Sequence, residues 1–135
     1  MIYAMLSLAM LTILVGLVAI KARLASIRNG QLDLSYFKLM QAENVPDIVT
    51  KTTRCFNNLF EIPVLFYMLC MMYIILEVES SIALFLAWLF VISRAVQAFV
   101  HVTYNQVRHR MYSFAASVLC VFLLLVNLAM ISIIK

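Results

Sequence analysis

The sequence predicts an all-α integral membrane protein, a single four-helix bundle occupying residues 1–135. Three observations carry that prediction. The chain is 66% hydrophobic and only 12% charged, which leaves too few polar residues to cover a water-soluble core of this size. Its first span, Ile2 to Ile20, runs 19 residues without a charge, and its last, Met111 to Ile134, runs 24 residues interrupted only by hydroxyls and Asn127. Either crosses the ~30 Å hydrocarbon layer at a rise of ~1.5 Å per residue. Between them, Phe56–Leu76 and Ile82–Val102 are about as long, so the count is four.

The predicted helices cover about 2–28, 48–76, 81–107 and 109–134. The first continues a turn or two past its apolar stretch through Arg23 and Arg28, and the Asn29-Gly30 pair stops it. No basic segment precedes it and no small-residue cleavage site follows, so it reads as a retained helix. Residues 31–48 form the one sizeable loop, with Pro46 as its strongest breaker. Its mixture of Tyr36, Phe37, Leu39 and Met40 with Lys38, Glu43 and Asp47 predicts a segment lying along the bundle mouth. Asp47 is placed to cap the second helix, within which Pro63 frees a carbonyl near Leu59 and bends the chain beside Glu61. Ser80–Ser81 opens the third helix, and the stretch around 102–110 reverses the chain into the fourth.

The net charge of +4 does not indicate a nucleic-acid partner, because the basic residues are few, dispersed and tied to the ends of apolar spans. Six of the ten (Lys21, Arg23, Arg28, Lys38, Lys51, Arg54) lie in the first loop region, and Arg108 and Arg110 lie in the last reversal. The Glu77–Ser81 turn has none. By the positive-inside rule the first and third loops are cytoplasmic, with the second loop and both termini outside. The compact form points to a bacterial inner membrane. Cys55, Cys70 and Cys120 show no metal-ligand spacing and read as small apolar residues.

Polar residues within the spans are the exception that needs a reason, since a charge at mid-depth costs roughly 2.5–3.5 kcal/mol on insertion scales. Arg54, Asn58 and Glu61 stand at i, i+4 and i+7, within about 60° of arc on a continuous helix. Arg94, Gln97 and His101 stand at i, i+3 and i+7, and Arg108 extends their stripe if the third helix runs that far. One reading is structural: a buried ion pair, Arg54–Glu61 or Glu61–Arg94, fixes helix register while Arg108 and Arg110 anchor the basic side. The other is a ligand site between helices. A metal site is disfavoured, because no second histidine falls within helical spacing of His101. A transporter is disfavoured too, since the chain shows neither an internal repeat nor paired half-helices.

The segment T-R-C-F-N-N-L-F-E-I-P, Thr53 to Pro63, resembles the second-helix signature of the MAPEG family, the membrane-associated proteins of eicosanoid and glutathione metabolism. That signature, R-x-x-x-N-x-x-E followed shortly by proline, falls here on Arg54, Asn58, Glu61 and Pro63. The order of elements is similar throughout, and Gly30-Gln31 and the R-x-x-Q-x-x-x-H run from Arg94 to His101 echo it further. The resemblance implies a homotrimer with glutathione, as co-substrate, held between subunits near the cytoplasmic face. It implies that Arg54, Asn58 and Glu61 grip the charged groups of the peptide, with Arg94, Gln97 and His101 lining the opposite wall. The arginine that stabilises the thiolate in catalytic members corresponds to Arg108 or Arg110. Two departures are visible: Asp33 stands where some members carry a basic residue, and His101 where a tyrosine is common. The implied activity is a glutathione-dependent transferase or peroxidase acting on lipophilic electrophiles drawn from membrane lipid. The alternative is a non-catalytic scaffold or lipid-like anion-binding module of the same fold.

Overall fold

The computed structural model describes residues 1–39 and 44–134, and among these all regular structure is helical. In order the elements are α1 (Ile2–Arg28), α2 (Tyr36–Leu39), α3 (Asp47–Asn58), α4 (Ile62–Ile75), α5 (Ser81–Val102) and α6 (Val107–Ile134). Four spans are long and apolar enough to cross a membrane: α1, α3 with α4, α5, and α6. The shortest, α5, has 22 residues and reaches about 33 Å. The protein is an integral membrane four-helix bundle.

The helix ends follow from local chemistry. Gly30 adopts φ +67° after α1, and its N–H and that of Gln31 donate to the carbonyls of Ile27 and Ser26, the paired closure that a left-handed residue permits. The Ser80 side chain accepts from the Ala83 N–H at 3.2 Å and caps α5. Asp47 differs from expectation: Pro46 occupies the cap position of α3, and Asp47 lies in the first turn without a capping hydrogen bond. Its carboxylate there still opposes the positive end of the helix. The third span ends at Val102 rather than near 107, and the fourth begins at Val107.

The main core lies at the acidic end of the bundle, beside Glu77 and Glu79. Phe66 of α4 stacks on Phe90 of α5 with ring centroids 4.3 Å apart, surrounded by Leu8, Leu69, Leu86 and Leu124. The Tyr73 hydroxyl and Ser80 Oγ both donate to Asn127 Oδ1, at 2.8 and 3.2 Å, which satisfies the one amide in α6. Buried Thr52, Ser93 and Ser117 return their hydroxyl protons to carbonyls of the preceding turn. Large apolar side chains on the outer faces, such as Leu14, Phe85 and Phe122, are exposed, as a surface bathed in lipid allows.

At the opposite, basic end, Val15, Cys55, Leu59 and Ala98 form a smaller cluster. Gly16 lets α1 approach α3 closely: a Cβ there would stand 2.9 Å from the Phe56 ring. Arg23 of α1 donates to Thr53 Oγ1 of α3 at 3.0 Å. Leu32 and Tyr36 pack on Val49, so the start of the first loop folds back over the bundle end. Of the loop residues expected along the mouth, Met40 and Glu43 lie outside the described residues, as do the side chains of Phe37 and Leu39.

Candidate functional site

The second span is broken rather than bent. α3 stops at Asn58 and α4 starts at Ile62, with Leu59, Phe60 and Glu61 between them. Pro63 lies in the first turn of α4, where its missing N–H is tolerated, but it cannot serve the carbonyl of Leu59 one turn back. The amides of Leu59 and Phe60 tighten onto the carbonyls of Phe56 and Asn57 at 3.0 and 2.9 Å. The Ile62 amide does not return to the Asn58 carbonyl, which is therefore without its helical donor.

Arg94 of α5 fills the gap. Its Nη2 donates to the Asn58 carbonyl, and its Nη1 donates to Gln97 Oε1 at 2.5 Å. The side chain is only 1% exposed, and its Nε has no partner. A guanidinium at the C-terminal end of α3 also meets the negative pole of that helix. No salt bridge joins Glu61 to Arg54 or Arg94 among the described residues, so the register ion pair is not formed. The buried cation is held by neutral oxygens instead.

Beside this contact opens a cavity of about 280 Å³, lined by Asn58, Glu61, Gln97, Val107, Arg110, Met111 and Phe114. One wall is polar and comes from the break and α5; the other is largely apolar and comes from the start of α6. Arg110 is the cation on that wall. Its Nη1 donates to Asn105 Oδ1 at 2.8 Å, and its Nε is buried without a partner. Asn105 takes a left-handed conformation, φ 50°, in the α5–α6 turn, and its N–H donates to the Val100 carbonyl at 2.8 Å.

The eight residues singled out from sequence therefore fall into three groups. Asn58, Glu61, Gln97 and Arg110 meet on the cavity. Arg94 and His101, each 1% exposed, lie behind it in a space shared with Cys55, Leu59 and Ala98 that is too tight for a water. His101 Nε2 is buried there without a partner. Arg54 and Arg108 are exposed and line neither space. Because α5 ends before residue 108, Arg108 does not continue the stripe of Arg94, Gln97 and His101. Asn105 and the apolar wall of Val107 and Met111 were not singled out from sequence. An asparagine in a short reversal is a recognisable sign of left-handed backbone, but its grip on Arg110 depends on how the turn folds.

The signature residues thus sit around an intramembrane helix break, and the model of the MAPEG family matches the chain over residues 1–130. The chain belongs to the MAPEG family. No curated protein and no solved structure matches it. In this MAPEG protein the R-x-x-x-N-x-x-E signature is not one helical stripe: Arg54 and Asn58 belong to α3, whereas Glu61 heads α4. Asn58 and Glu61 nevertheless line one cavity. The MAPEG family is associated with glutathione and includes both catalytic and non-catalytic proteins, so membership alone leaves the chemistry to be argued from the cavity.

Proposed function

We propose that this protein binds glutathione at the basic end of the bundle and uses its thiolate against lipophilic electrophiles, as a membrane-embedded transferase or peroxidase. The observation that carries the reading is the convergence of Asn58, Glu61, Gln97 and Arg110 on one cavity with an apolar far wall of Val107, Met111 and Phe114. Carboxylate and amides suit the ammonium and peptide groups of a zwitterionic tripeptide, and a cation beside a thiol favours its anion. At about 280 Å³ the cavity lies at the lower edge of the roughly 300–1,000 Å³ usual for small-molecule sites. The remainder of the ligand would run over exposed Arg54, and a neighbouring subunit of a homotrimer would close it in. Arg54 then takes a glutathione carboxylate in a two-pronged grip.

In the reaction, the thiolate held by Arg110 attacks an electrophilic carbon of an acceptor arriving from the bilayer. The C–S bond forms as the leaving group departs with its bonding pair. With a lipid hydroperoxide, attack on oxygen breaks the O–O bond. The alkoxide takes a proton, and a second glutathione converts the resulting sulfenic acid to disulfide and water. Orientation follows the charge asymmetry: the basic end, and with it the cavity, faces the cytoplasm, where the soluble thiol resides.

Calorimetric titration of detergent-purified protein with glutathione, combined with ultraviolet thiolate absorbance and conjugation to a reactive aryl halide, tests all three elements. Saturable binding, thiolate formation near neutral pH and conjugation are the expected results. Binding without thiolate or conjugation would replace the enzyme by a binding module, and no binding would remove glutathione altogether.

A further inference from the structure

We infer that Arg94 is a positioning residue, which sets Asn58 and Glu61 on the cavity by capping the broken end of α3 and does not itself touch the ligand. This deepens the glutathione reading and rests on it for the identity of the ligand. Arg94 is buried behind the cavity and does not line it. Each of its two terminal nitrogens donates one hydrogen bond, to the Asn58 carbonyl and to Gln97 Oε1, and its Nε is buried without a partner.

The same geometry gives Arg94 leverage over the site. A break inside a span leaves carbonyls without their helical amides, and a donor from another element that takes such a carbonyl fixes the relative setting of the two half-helices. Arg94 supplies that donor from α5, and Gln97, which accepts from it, also lines the cavity. Asn58 is the last residue of α3, and Glu61 caps α4 in an unusual conformation, φ −88° and ψ −95°. Both site residues therefore flank the one link that Arg94 holds.

Hydrogen exchange and a double-mutant cycle on the full-length protein test the assignment. Without any ligand, R94M should speed amide exchange at Leu59, Phe60 and Val64 and leave the acidic-end core unchanged. R94K, which offers one compact donor in place of a planar fork, should lie between. In glutathione titrations, R94M should weaken binding about tenfold, and R94M/E61Q should lose clearly less than the product of the two single losses, because residues acting through one another are not additive. Losses that multiply in the double variant would make Arg94 a direct ligand contact and overturn the inference. Unchanged exchange in R94M would overturn it equally, by showing that the break needs no cap. A wild-type protein that binds no glutathione defeats the ligand assignment alone, and the exchange arm still decides the capping. R94K serves both arms should R94M fail to accumulate.

Discussion

Arg110 is tethered to Asn105: the guanidinium donates to Asn105 Oδ1 at 2.8 Å, from a residue whose backbone is left-handed at φ 50°. Glycine tolerates that backbone but offers no acceptor. Asn105→Gly should lower thermal stability by about 1 kcal/mol, the lost hydrogen bond being offset in part by relief of the left-handed backbone. It should lower the yield of glutathione thiolate about tenfold, since a hydrogen bond to a charged group contributes roughly 1.5–3 kcal/mol. Ultraviolet titration of the thiolate measures this directly, and an unchanged yield would mean that Arg110 needs no tether.

The two arginines of the α5–α6 region should separate in the same assay. Arg110 lines the cavity, whereas Arg108 is exposed. Arg110→Leu should abolish thiolate absorbance near neutral pH with the oligomer intact, and Arg108→Leu should change it less than twofold, because a desolvated sulfur anion needs a cation close by. The reverse outcome would move the thiol out of the cavity within one subunit and onto a seam with its neighbour.

Packing between α1 and α3 gives a prediction independent of glutathione. A side chain at position 16 meets the Phe56 ring, which is itself set edge-on against Phe60 at 5.0 Å. Gly16→Leu should destabilise the bundle by about 1–3 kcal/mol, the usual cost of overpacking. Adding Phe56→Ala should restore part of the loss in thermal melts. Equal stability of the single variant and wild type would show that α1 is free to move away.

Topology is open to chemical labelling. A cysteine placed at Ser35, in the first loop, should react with an impermeant maleimide only from the cytoplasmic side, and one at Glu79 only from outside. Labelling at Ser35 on intact cells would invert the orientation and put the cavity on the wrong side for cytoplasmic glutathione.

Local chemistry was legible where one residue decides the outcome. Gly30 after α1 and Ser80 before α5 act within a turn of their own positions. Asn58 and Glu61 stand out in the sequence because polarity within a span is costly wherever it falls, and both line the cavity. The break was only half legible. Pro63 announces a disturbance, but the donor that serves the Asn58 carbonyl at the break is 36 residues away on α5, where nothing local marks it. Arg94 and Glu61 read as ion-pair partners from charge alone. Their separation arises because Arg94 finds neutral oxygens first, and no periodicity encodes that preference. Arg108 belonged to the third-span stripe only if that helix ran as far as residue 108, and α5 ends at Val102.

The parted second span also constrains how the protein is made. α3 has 12 residues and α4 has 14, about 18 and 21 Å, so neither half crosses a bilayer alone. They must enter the membrane together, as one segment, during synthesis. At that moment α5 has not yet emerged, so the Asn58 carbonyl lacks the guanidinium that later serves it. The nascent chain therefore holds an unfinished joint in the bilayer until residue 94 arrives. Assembly of the cavity is thus a late event in biogenesis, because Gln97 and Arg110 come from the third and fourth spans and not from the segment that bears the signature.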